Sequence, residues 1–117
     1  LYPHHLKDNS NCTIDSFCEM VARTAEIMNV NNIGIGSDLC LNQPDEVVEW
    51  MRNGTWSKSK NYGEGSQNRP GFPKQPKWFE DARGFKNLEK GFKKIGFSDT
   101  ETDGILGNNW YNFYKTI

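Results

Sequence analysis

The sequence has the pattern of an amphipathic helix directly before a short apolar run, and this order limits the folds that are open to the chain. From Thr13, a suitable helix cap, to about Met28, apolar residues recur with the spacing i, i+3, i+4 and i+7. Asp15 and Glu19 stand near the start of this stretch, where negative charge suits the helix dipole. The pattern predicts a helix whose apolar side faces a core.

The segment NNIGIGSDLC, Asn31–Cys40, begins with turn residues and continues as an apolar run that ends on a carboxylate. We interpret Ile33–Asp38 as a short buried strand, in which Gly34 and Gly36 allow backbone or a ligand to come close. The opening LYPHHL is a second apolar run, which gives the order strand, helix, strand. That order predicts a right-handed crossover and parallel pairing, so residues 1–40 are expected to form a βαβ unit.

Residues 41–85 differ in character from the segments on either side. Pro44, Asp45 and Glu46 suit the first turn of a short helix. The remainder is rich in Gly, Pro, Ser and Asn, yet it carries aromatic side chains that a flexible linker would lack. We therefore predict a long, ordered, functional loop that packs through its rings. Its aromatic residues are Trp56, Tyr62, Phe72, Trp78 and Phe79.

Residues 86–117 are predicted to form the terminal helices. The segment NLEKGFKKIGF has a helical apolar stripe and reaches Gly96, a natural position for a left-handed cap. Ser98, followed three residues later by Glu101, predicts a capping box for the next short helix. The triplet GNN, Gly107–Asn109, is expected to break that helix before a final aromatic turn.

Charge and composition exclude several classes of protein. Fourteen Lys and Arg against fifteen Asp and Glu give a net charge of -1, which lacks the basic footprint of nucleic-acid binding. No stretch approaches the roughly 18 consecutive apolar residues of a membrane span. The three cysteines include no C-x-x-C pair, so they are expected to be reduced. The chain opens without Met on an apolar run, and residue 1 is therefore expected to be internal to a longer protein.

Asp38 is the main candidate for a functional side chain. In parallel α/β folds, ligands bind beyond the carboxyl ends of the strands, and Asp38 would stand at such an end. An aspartate there is either a helix cap or turn former, or a catalytic or metal-facing carboxylate. The pattern alone leaves both interpretations open.

Two segments carry a resemblance to a known family. NNIGIGSDL and the later FPKQPKWFEDARGFKNLEKGFKKIGFSDTETDGILGNNWYNFY resemble the carboxyl-terminal part of the membrane dipeptidase (renal dipeptidase) family, metal-dependent peptidases with an amidohydrolase-type barrel. Gly107 and Asn109 match the family's G-x-N. The resemblance implies an α/β fold, the carboxyl-terminal portion of a (β/α)8 TIM-type barrel with about strands 7 and 8 and the following helices. Such a barrel needs about 250 residues, so residues 1–117 would be a fragment of one barrel domain.

The resemblance also implies a site. Asp38 would be the catalytic acid/base group beside two divalent zinc-type ions, where it handles the protons of the attacking water and the leaving amine. The family's metal ligands lie on earlier strands, so no residue of this chain is assigned as a metal ligand. Tyr2, Pro3 and His4 are expected to line the substrate pocket. His4 and His5, as neighbours on a strand, would point to opposite faces.

Two functional hypotheses follow. The first is an enzyme, a metallo-dipeptidase that hydrolyses dipeptides or similar small amides, of which the isolated chain is expected to be inactive; a homodimer of the parent protein is left open. The second is a small α/β interaction module that binds a partner through the aromatic loop 56–79, since exposed aromatic residues suit binding surfaces.

Overall fold

The computed structural model describes residues 1–53, 68 and 71–117 of the chain. Helical residues of all types make up 64% of this described part, which contains no strand. Two compact units are present, the first formed by Leu1–Asp38 with Gln75–Ile117 and the second by Leu39–Lys74. No helix in the described ranges combines the length and the apolar character that crossing a membrane requires. The α-helices are α1 (Ile14–Met28), α2 (Asp45–Met51), α3 (Phe85–Ile95), α4 (Asp99–Asp103) and α5 (Asn109–Lys115).

The predicted α/β fold is wrong for the described residues. In the opening segment, Pro3–His5 forms a 3-10 turn, for which proline presets the backbone φ. Leu1 forms a main-chain pair with the run that follows α1, but the chain then turns at Pro3 and a ladder does not develop. The expected βαβ unit of residues 1–40, and with it the portion of a (β/α)8 barrel around strands 7 and 8, is therefore absent from this part of the chain.

Helix α1 confirms the predicted amphipathic helix. Thr13 is its N-cap, and the Ser16 N–H donates a hydrogen bond to Thr13 Oγ1 at 3.1 Å. The helix ends at Asn29, whose φ of 71° interrupts the helical backbone. Its buried side, which forms the centre of the first unit, consists of Phe17, Cys18 and Val21.

Helix α3 packs against α1 and completes the core of the first unit. Leu88 and Phe92 are buried on its inner side. Gly91 faces α1 so closely that a Cβ at this position would lie 2.6 Å from Cys18 Sγ. The helix ends at Gly96 with a φ of 107°, which confirms the predicted left-handed cap.

Trp78 and Phe79 anchor the chain that leads into α3. Trp78 Nε1 donates a hydrogen bond to the Cys12 carbonyl at 2.8 Å, and the Trp78 ring lies 5.4 Å from the Phe17 ring. Phe79 is fully buried and meets Phe85 edge-on at 5.1 Å. These two rings pack inward, as predicted for the aromatic loop. Trp56 and Tyr62 of that loop lie outside the described residues.

Helices α4 and α5 are joined by a π-helical turn, Gly104–Asn108. At the start of α4, Ser98 and Glu101 form the predicted capping box, in which the Glu101 N–H donates to Ser98 Oγ at 3.2 Å and the Ser98 N–H donates to Glu101 Oε2 at 2.8 Å. The prediction that GNN breaks the helix is wrong, because the wider π turn carries the chain directly into α5.

The second unit contains helix α2. Pro44 stands at its N-cap position, and Asp45 and Glu46 occupy its first turn, as the sequence predicted. Val48 is buried on this helix. Gly71 lies so near Asp45 that a Cβ there would be 3.0 Å from the carboxylate Cγ, so a side chain at position 71 would displace Asp45.

Candidate functional site

Asp38 lies where the chain leaves the core of the first unit. Ile33 and Ile35 are buried at 3% and 8% exposure, whereas Gly36 and Asp38 are exposed. The apolar run therefore ends on a carboxylate because that position faces solvent. The backbone φ of Asp38 is 50°, in the left-handed region that aspartate tolerates better than most residues.

The Asp38 carboxylate has no hydrogen bond or ion pair with any residue in the ranges that the structure describes. Gln75 Nε2 donates instead to the Asp38 main-chain carbonyl at 3.4 Å, which holds the backbone and leaves the side chain accessible. The left-handed φ suits a turn-forming aspartate, and the accessible carboxylate suits proton transfer. The geometry thus accommodates both interpretations of this residue.

Leu1 connects the opening segment to the run before Asp38. Its nitrogen donates to the Gly34 carbonyl at 2.7 Å, and the Gly36 N–H donates to the Leu1 carbonyl at 2.9 Å. Alternating bonds of this kind are those of one parallel residue pair. The bonds therefore pair Leu1 with Ile35, and the two segments run in the same direction at this point.

Tyr2, Pro3 and His4, the predicted pocket residues, belong to one compact turn. The Tyr2 ring stacks with His4 at a centroid distance of 5.8 Å and meets His5 edge-on at 4.3 Å. Pro3 is buried, whereas Tyr2 and His4 are partly exposed. The expectation that His4 and His5 point to opposite faces of a strand is wrong, because both belong to the 3-10 turn.

The described residues do not fit a catalytic metal. No group of three or more His, Cys, Asp or Glu side chains in residues 1–53, 68 and 71–117 is arranged to hold an ion. This part of the chain therefore offers no ligand set for the expected zinc ions.

Asn109 and Trp110 are the residues that the sequence reasoning missed. Asn109 Nδ2 donates to the carbonyls of Val30 and Ile33, each at 2.8 Å. Trp110 Nε1 donates to the Ile35 carbonyl at 3.4 Å. The sequence had marked Asn109 as part of a helix-breaking triplet and as part of G-x-N, and neither signal predicted its contacts with the run before Asp38.

Two clefts occur elsewhere in the first unit. The larger, of about 670 Å³, lies between the ends of α1 and α3 and includes Glu26 and Glu101. The smaller, of about 300 Å³, lies beside Asn109 and Trp110 and is lined mainly by apolar and amide groups. Asp38 lines neither of these two clefts, and its side chain is exposed at the surface outside them.

The buried cysteines are unsuited to nucleophilic chemistry. Burial, with a contribution from the charge of Asp15, raises the pKa of the Cys18 thiol to about 11. Cys12 is buried as well, and Cys40 is exposed; none of these three cysteines is part of a disulfide. Because the thiolate is the reactive form, Cys18 is chemically inert near neutral pH.

Known protein-family models, curated proteins and solved structures yield no match to this chain. Membership of the membrane dipeptidase family therefore stays a prediction from the residues quoted above.

Proposed function

We propose that this chain belongs to a metal-dependent hydrolase that cleaves dipeptides or similar small amides, with Asp38 as the acid/base group. One observation supports the proposal above others. The two segments that carry the family resemblance are in contact, because Asn109 of the second donates a hydrogen bond to the carbonyl of Ile33 in the first, 76 residues away in sequence. Motif residues that serve one site need such a contact.

The chemistry assigned to Asp38 is proton transfer. Its exposed carboxylate has no partner among the described residues, so it is free to accept a proton from an attacking water molecule. The same group then returns the proton to the amine that leaves when the amide bond breaks. Gln75 contributes by holding the main chain of Asp38 and not its carboxylate.

The resemblance adds two zinc-type ions to this proposal. When bound, such ions acidify a water molecule and polarise the carbonyl of the substrate. In the family that the chain resembles, the metal ligands lie on earlier strands of the barrel, so the resemblance assigns none of them to residues 1–117. The 117-residue chain alone is accordingly expected to be inactive.

The test is dipeptide hydrolysis by the complete polypeptide loaded with zinc, with Asp38→Asn as the decisive variant. Asparagine keeps the size of the side chain and also tolerates a positive φ, so the backbone turn survives while proton transfer is lost. We expect kcat to fall by about 10² or more, with bound metal nearly unchanged.

Asp103→Asn is the matched control, since Asp103 is an exposed carboxylate at the end of α4. It should retain full activity. Undiminished turnover of Asp38→Asn, or loss of metal from that variant, would refute the role of Asp38. A zinc-loaded complete polypeptide that hydrolyses no dipeptide or small amide would refute the proposed function itself.

A further inference from the structure

We propose that Asn109, assisted by Trp110, is a positioning residue that sets the place of Asp38. This inference rests on the proposed function, because it assigns to Asn109 a role in the same proton transfer. The main chain before Asp38 runs from the end of α1 over the start of α5, and side chains of α5 hold it there.

Asn109 donates two hydrogen bonds from its carboxamide nitrogen to this main chain. One bond reaches the Val30 carbonyl in the 3-10 turn after α1, and the other reaches the Ile33 carbonyl, each at 2.8 Å. The side chain thereby connects the start and the end of the 3-10 turn, from which the extended run toward Asp38 begins. Because these bonds are partly buried, a replacement that cannot donate removes this donor from the Ile33 carbonyl and leaves the Val30 carbonyl with the longer bond from the Ile33 N–H, at 3.4 Å.

Trp110 extends the same contact by two residues. Its Nε1 donates to the Ile35 carbonyl, and its ring covers Gly34. A Cβ at Gly34 would lie 2.7 Å from Trp110 Cδ1 and nearer still to Nε1, so glycine is required for this approach. Leu1 adds hydrogen bonds to Gly34 and Gly36, so the main chain is held by hydrogen bonds from Val30 to Gly36, two residues before Asp38.

The π-helical turn Gly104–Asn108 accounts for the direction in which the Asn109 side chain points. One extra residue in a helical turn rotates all later side chains by about 100° around the axis. Gly104, at the start of this turn, makes room for Asn109, since a Cβ at that glycine would lie 2.9 Å from Asn109 Oδ1. Turns of this type are frequent at functional sites.

The test is a double-mutant cycle in the zinc-loaded complete polypeptide. Asn109→Asp keeps the shape of the side chain but replaces the donor by an acceptor that faces two carbonyls. We expect kcat to fall by about 10- to 100-fold with KM changed less than about threefold, as for a displaced catalytic group. In the Asp38→Asn background the same substitution should lower kcat by less than about twofold, because the group that it positions is already lost.

A second readout does not depend on activity. Asn109→Asp should speed hydrogen exchange at the Gly36 amide, which bonds to the Leu1 carbonyl. Asn108→Asp is the control, since it makes the same charge change at the exposed neighbouring position and should alter neither readout.

A loss of kcat that is equal in both backgrounds would show a merely structural role and would overturn the proposal. Wild-type kcat in Asn109→Asp alongside an inactive Asp38→Asn would overturn the positioning role and leave the proposed function intact. Full activity of Asp38→Asn would overturn both. If Asn109→Asp does not fold, Trp110→Phe, which removes a single donor, takes its place in the same cycle. A loss of kcat of about two- to fivefold, the size expected for one weak bond, that occurs only in the protein that retains Asp38 supports the proposal. Any other result overturns it.

Discussion

Replacement of Gly91 by alanine tests the packing of α1 against α3, on which the first unit depends. A Cβ at this position would lie 2.6 Å from Cys18 Sγ and 3.4 Å from Ile14 Cδ1. Optimal contacts between such atoms are about 3.5–4.0 Å, so one of the helices or Cys18 has to move. An extra methyl group in a filled core costs about 1–3 kcal/mol, whereas alanine regains about 1 kcal/mol of helix propensity. We expect a net loss of about 1 kcal/mol in the free energy of unfolding.

Urea denaturation followed by far-UV circular dichroism measures this loss. Gly107→Ala is the matched control, because no atom lies within 4 Å of a Cβ at that position. It should be neutral or stabilising by up to about 1 kcal/mol. Cys18→Ala empties the space that the new methyl group needs, so the double variant should be more stable than the sum of the single changes by about 1 kcal/mol.

Two results would contradict this reasoning. If Gly91→Ala were as stable as Gly107→Ala, the helices would not approach as closely as described. If the effects at Gly91 and Cys18 were strictly additive, the two residues would not share the contact on which the expected magnitude rests.

Two further predictions concern titratable groups. In the native protein, a thiol reagent at about pH 8 should modify Cys40 rapidly and the buried Cys18 only on unfolding. Mass spectrometry of the labelled peptides measures both reactions. Rapid labelling of Cys18 would contradict its burial and its raised pKa. The hydrogen bonds from the Ser98 N–H and hydroxyl lower the pKa of Glu101 from its ordinary value of 4.5, so its stabilising effect is present above that value and is lost as the pH falls through the lowered pKa. The difference in Tm between wild type and Glu101→Ala should therefore shrink as the pH is lowered from about 6 to about 3. Glu26→Ala, at an exposed site on α1, serves as the control. A difference for Glu101→Ala that stays constant with pH would refute the linkage.

Local signals in the sequence predicted the helix ends correctly. The Thr13 cap, the left-handed Gly96 and the capping box of Ser98 and Glu101 each depend on residues within four positions of one another, so their physics is contained in a short window. The left-handed backbone of Asp38 was not predicted, although a turn-forming aspartate was one of the two interpretations.

Distant contacts account for the errors. A strand exists only if another segment pairs with it, and the opening segment turns away at Pro3 after one residue pair. Gly107 and its asparagine neighbours are weak helix formers, yet the helix continues through them because Asn109 finds acceptors in Val30 and Ile33, which lie far away in sequence. Such partners cannot be inferred from a helix-breaking triplet alone.

The hydrogen bond between Gln75 and the Asp38 carbonyl has a consequence for how the chain can vary. The polypeptide departs from the first unit at Asp38 and rejoins it at Gln75, so residues 39–74 are an insertion whose two ends meet at one point. Doubling the length of a flexible loop costs only about 0.6 kcal/mol in closure entropy. Variants with more or fewer residues between Asp38 and Gln75 are therefore expected to keep the helices of the first unit intact.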